Sequence, residues 1–257
     1  LNNFDLNTLD IKYTYTFILQ HPYNRIVTPI SMPIIYLIKI YEICNKLEKK
    51  TIIKELNLQN FISSMPYIFL NTGVKFINKY SINDNYDTVK QYYTGKELPY
   101  YCVGCMIYNE DGTRTKLRNM NYENVRKLRG NQPKLQYNYL CLKKENKVKE
   151  YLVYYPEHKF EFNNFKNLIY NYTNELFLNY ISCFIRKEKS LKEYDFQYKT
   201  HMYKIHEEYK NKLAPQNKKI DKKFIIDYIN NLHPAQQMFV INYSNYNNQS
   251  DETIILD

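Results

Sequence analysis

Apolar and polar positions follow one period in the first half of the chain and another in the second. In "YTYTFILQHP" (13 to 22), β-branched and aromatic residues run together until a His-Pro pair ends them. "NRIVTPI" (24 to 30) and "IIYLIKIYEI" (34 to 43) have the same character, so three strands are predicted. Residues 52 to 70 fit helix or loop equally, and "DTVKQYYTG" (87 to 95) predicts a short helix stopped by Gly95. "YYCVGCMIY" and "TRTKLR" flank "NEDG", an Asp-Gly turn signal between two strand-like runs, which predicts a hairpin.

From Asn121 the period changes. Tyr122, Val125 and Leu128 are spaced for one helical face, with Asn121 as a candidate N-cap and Gly130 as a stop. Beyond them "LQYNYLCLKK", "VKEYLVYY", "FKNLIYNYTNELFLNYISCFIRKE", "THMYKIHEEYKNKL" and "KKFIIDYINNL" carry apolar residues three and four apart, between joints rich in Asn, Pro and Lys. The expected fold class is α+β: an antiparallel-sheet segment over 1–155, then an all-helical domain over 156–257. No internal repeat is visible.

A chain of 257 residues with 44% apolar and 24% charged side chains is long and apolar enough to bury a core. Its 29 Tyr, absent Trp and two Ala (Ala214, Ala235) are unusual. Lys, Asn, Ile and Tyr share A- and T-rich codons, so nucleotide drift accounts for much of that bias and discounts the net charge of +10. The distribution of charge is more informative. Residues 112 to 150 hold eleven Lys and Arg against three acids, Glu123, Glu145 and Glu150, a local balance of +8. Four of the six arginines, Arg114, Arg118, Arg126 and Arg129, fall within sixteen positions. A guanidinium grips phosphate bidentately where lysine offers a point charge, so segment 112–150 is a candidate surface for RNA or DNA, with Arg126, Lys127, Arg129 and Lys134 as contacts.

Five scattered cysteines and the lack of a secretory leader at the start point to a reducing, intracellular, cytoplasmic setting. The longest apolar run, "PIIYLIKIYEIC", is broken by Lys39 and Glu42 and is too short for a membrane span. The chain begins on Leu1 rather than Met, and an N-terminal portion upstream is expected. "CVGC" (102 to 105) lacks the second ligand pair of a zinc site, and residues three apart on a strand point to opposite faces. His201 and His206 lie five apart on a predicted helix, which favours a solvated face over a metal site, so no metal ligand is assigned.

"GTRTKLR" is different, because a strand there places Arg114, Lys116 and Arg118 on one face, and the following helix adds Arg126 and Arg129 at i, i+3. A hydrophobic strand with a small turn, a strand of alternating cations and a Tyr-bearing helix resemble the last two nucleotidyltransferase motifs of RNA ligases of the phage RNA ligase 1 type. "YTFILQHPYNRIV" (15 to 27) is similar to the third motif of the same family, so the resemblance covers residues 10 to about 130. It implies an ATP-dependent nucleotidyltransferase using Mg²⁺ and a lysyl-AMP intermediate on RNA ends, in the manner of RNA repair. Lys116 and Arg118 are then the catalytic contacts to the α-phosphate. Phe17, Gly104 and Arg114 line the nucleotide, and the nucleophilic lysine lies upstream of Leu1. Where the family carries glutamates for ribose and metal, Ile18 and Val103 stand here. The alternatives are a ligase-fold protein without catalysis that binds nucleic acid, or an assembly module of tyrosine-rich helices. The composition and the resemblance both suit a large DNA virus of eukaryotes.

Overall fold

A computed structural model describes residues 4–45, 51–77, 79–80, 84–109 and 111–243. The chain is α+β and divides into two compact units, Leu1–Lys127 and Leu128–Asp257. The division lies upstream of the boundary after residue 155 read from the sequence. Two early helices, α5 (Leu135–Lys144) and α6 (Val148–Tyr154), belong with the long α7 (Lys159–Tyr180) because their rings pack on it. Tyr139 and Tyr151 lie with centroids 5.0 and 5.2 Å from that of Phe162.

In the first unit, β1 (Tyr13–Gln20) pairs antiparallel with β2 (Ile34–Asn45), and β2 with β3 (Thr51–Glu55). The two-residue β4 (Lys75–Phe76) adds parallel to β2 beside Tyr36 and Leu37. Alternation puts Tyr13, Tyr15 and Phe17 of β1 on the face that carries Leu37 and Ile40 of β2, where α1 (Leu58–Ser64) and α2 (Pro66–Phe69) supply Leu58, Phe61, Ile68 and Phe69. Burying each such side chain contributes about 1.5–3 kcal/mol over leaving it in water. A bulge between Thr16 and Phe17 shifts the register, so Thr16 faces Lys39 while Phe17 faces Leu37.

The stretch 24 to 30 is not a strand. Pro29 within it and Pro22 and Pro33 on either side remove ladder donors, and a 3-10 turn over Pro22–Asn24 leads into bends in which Val27 is buried. The ambiguous stretch 52 to 70 resolves into β3, α1 and α2, with the Asn57 side chain accepting from the Asn60 N–H at the start of α1. The predicted short helix is α3 (Tyr86–Thr94), ended at Gly95, whose N–H donates to the Gln91 carbonyl. The predicted hairpin is β5 (Gly104–Tyr108) with β6 (Arg114–Arg118), followed by α4 (Met120–Arg129), which runs across the division between the units.

The second unit is helical. Around α7 stand α5, α8 (Phe196–Glu208), α9 (Lys222–Asn231) and α10 (Pro234–Ile241), each touching it. Asp221 caps α9, and His233 with Gln236 forms a capping box on α10 behind Pro234. That last helix was not read from the sequence. Both α7 and α8 run on into π-helical turns, Ile181–Ile185 and Tyr209–Leu213. The core is unusually phenolic: Tyr139, Tyr151, Tyr155, Tyr172 and Tyr180 are buried among Leu176, Met202, Ile205, Ile225 and Ile229. Three histidine rings hold three of the tyrosine hydroxyls here, His158 with Tyr151 (2.8 Å), His206 with Tyr180 (3.3 Å) and His201 with Tyr228 (2.9 Å). His201 is thus buried rather than on the solvated face expected for it, and burial lowers its pKa to about 4. No helix of the described residues is long and apolar enough to cross a membrane.

Candidate nucleic-acid interface

The hairpin is built on a close approach. Gly104 has φ +126°, and a Cβ there would lie 2.1 Å from the Leu117 carbonyl oxygen, so only glycine permits the pairing of Gly104 with Arg118. The glycine read as a nucleotide contact thereby has a structural duty of its own. The turn is fixed by Asp111, whose carboxylate accepts the Thr113 N–H and hydroxyl at 2.8 and 2.7 Å, bonds that hold its carboxyl below the usual range. Gly112 supplies the positive φ beside it.

Cross-strand pairs set the two faces. Leu117 is buried, whereas Arg114, Lys116 and Arg118 are exposed opposite Tyr108, Met106 and Gly104, about 7 Å apart along the strand. The period-two row of cations is therefore present. Lys39 of β2 lies 4.9 Å from the centroid of the Tyr108 ring and 6.0 Å from that of Tyr41, with its ammonium on Glu55 at 2.5 Å. Lys39, read from the sequence only as a break in an apolar run, connects the hairpin to the larger sheet.

The base of the hairpin is held by asparagines. Asn119 is fully buried; its amide donates to the carbonyls of Pro99 and Cys102 at 2.8 and 2.9 Å, while its oxygen accepts the Asn121 N–H as the cap of α4. The cap therefore falls two residues before the Asn121 expected. Asn121 instead donates to the carbonyls of Lys96 and Leu98.

The arginines do not all stand alike. Glu123, in the first turn of α4, accepts from Arg118 at 2.5 Å and from Arg126 at 3.3 Å, one guanidinium on each carboxylate oxygen. The Arg118 hydrogen bond, with the charge of both arginines, holds the Glu123 carboxyl below the usual range. Arg114 and Lys116 form no ion pair among the described residues, and neither does the exposed Lys127. Arg129 and Lys134 belong to the second unit, where Arg129 donates to the Gly130 carbonyl at 3.4 Å and its charge acts on Tyr151. Arg126 and Arg129 share a helix face as their spacing requires, but their partners differ.

The residues present do not fit the metal and nucleotide that the ligase resemblance implies. Ile18 and Val103 are each 51% exposed and offer no oxygen to Mg²⁺, and the nearby Glu123 has both oxygens engaged by arginine. The Phe17 ring serves the core, 5.3 Å from Phe4 and stacked on Tyr15. Cys102 precedes β5, so strand alternation does not govern it, and its thiol and that of Cys105 both act on Tyr93; burial raises the Cys105 pKa. No protein-family model and no curated protein matches this chain.

Proposed function

We propose that the exposed face of β6, with the start of α4, binds the phosphate backbone of RNA or DNA, without covalent chemistry of its own. The observation that carries this reading is the row formed by Arg114 and Lys116: two cations without carboxylate partners among the described residues, on a strand whose spacing is set by Gly104 and whose base is fixed by Asn119. Tyr108, 44% exposed, stands opposite Arg114 and offers a ring to a neighbouring base. Phosphate contacts of this kind release counterions, so affinity falls with salt by about 0.7–0.9 in log–log slope per contact.

The test is fluorescence anisotropy with a labelled oligothymidylate of about 20 nucleotides across a salt series. Arg114→Ala with Lys116→Ala is expected to flatten the slope by about 1.4 and to weaken binding at every salt concentration. A wild-type affinity that does not change with salt refutes the reading. The covalent nucleotidyl transfer implied by the ligase resemblance is a second reading, favoured by the observed order of small-residue strand, turn, cationic strand and helix. An AMP adduct seen by intact mass after the full-length protein, with the expected upstream lysine, is incubated with ATP and Mg²⁺, and absent in Lys116→Ala, supports it; an unmodified mass rejects it.

A further inference from the structure

Glu123 sits in an unusual position for a surface carboxylate. Its side chain is 17% exposed, against 45% and 42% for the side chains of the two arginines it pairs with, so the anion is the inner partner and the cations the outer ones. Arg118 comes from β6 and Arg126 from the second turn of α4, so the clamp joins the cationic strand to the helix. An ion pair whose arginines reach solvent contributes little net stability, so an incoming phosphate can compete with it. The same geometry, two guanidiniums converging on two oxygens of one anion, is how arginines grip a phosphate.

From this arrangement, which rests on the backbone-binding reading above, we propose that Glu123 is an internal competitor: its carboxylate occupies a two-arginine phosphate site and withholds Arg118 and Arg126 from nucleic acid. The resting surface then offers Arg114 and Lys116 first. Arg118 and Arg126 join only when a backbone phosphate displaces the carboxylate, which adds two contacts at the cost of the internal pair. Glu123 thus sets how tightly the surface holds its ligand without touching that ligand.

The experiment measures the same oligothymidylate on the full chain, comparing wild type with Glu123→Gln. Freeing two guanidiniums should tighten binding by roughly 3- to 10-fold near 0.1 M salt and steepen the salt slope by at most about 1.4, the limit in which the wild-type carboxylate keeps both arginines. The gain must disappear in the triple variant Glu123→Gln, Arg118→Gln, Arg126→Gln, because the cycle isolates the clamp. If wild type binds in a salt-dependent way and Glu123→Gln binds equally or more weakly, the competitor idea is overturned while the backbone reading stands. If wild type does not bind and Glu123→Gln does, the competitor idea stands and the resting row of Arg114 and Lys116 is overturned. Binding by neither overturns both. Should the glutamine variant lose its helical circular dichroism, Glu123→Asp keeps the charge near the helix start with too short a reach for both arginines. It must then change affinity in the same direction.

Discussion

The buried imidazole of His201 makes the helical unit acid-sensitive by an amount that follows from its surroundings. The ring is 9% exposed, holds the Tyr228 hydroxyl at 2.9 Å and stands edge-on to Tyr172. Burial first, and the charge of Lys204 second, lower its pKa from 6.5 to about 4. The folded ring therefore resists a proton that the unfolded ring accepts. Stability from this group is complete above about pH 6.5 and falls as the pH drops from there toward about 4, by up to about 3 kcal/mol, of which about 2 kcal/mol is lost by pH 5. His206, whose pKa burial also lowers, adds loss of the same sign. Urea unfolding followed by circular dichroism at about pH 7.5 and about pH 5 measures the difference. His201→Gln removes the titration and keeps a neutral hydrogen-bonding side chain, so its stability should change less between the two pH values than that of wild type, by about 2 kcal/mol. Equal pH dependence in the two proteins refutes the argument, whatever the variant costs at neutral pH.

Two substitutions test the frame of the interface. Gly104→Ala drives a methyl group into the Leu117 carbonyl at a left-handed φ, and should cost about 3 kcal/mol or more, read as a lower urea midpoint; a change within about 0.5 kcal/mol contradicts the close approach. Asn119→Ala leaves two carbonyls and the helix cap without partners and should cost about 2–4 kcal/mol. Asn119→Asp should rescue little of that loss, because it keeps the cap acceptor but replaces the amide donor with a carboxylate oxygen facing two carbonyl oxygens; full rescue would show that the cap alone matters.

What the sequence made legible was local. The hairpin, its Asp-Gly turn, the cationic period of two and the helix after it depend on neighbours within a few positions, and so do the strands at 13 to 20 and 34 to 45. Residues 24 to 30 misled because β-branched content is a weaker determinant than the prolines on either side, which cannot donate to a ladder. The Glu123 clamp had a signal in sequence, a Glu and an Arg at i, i+3 on one helix, but the second guanidinium comes from the preceding strand and enters only with the fold. Lys39 under Tyr108 pairs residues 69 positions apart, and the tyrosine–histidine pairs join different helices in two of three cases. Such contacts leave no period to read. A helical face rich in Tyr and His looks amphipathic or solvated until the partner that accepts its hydroxyl is known.

The contact between Gly104 and the Leu117 carbonyl separates what can vary on this surface from what cannot. Arg114 and Lys116 leave the strand for solvent, so either can be exchanged for another residue with no demand on the backbone. Any side chain at 104 instead pushes the two strands apart and displaces every cation on β6 together. Successive substitutions can retune the charge of the row one residue at a time, while the outline on which that charge is mounted depends on a position that has no side chain to change.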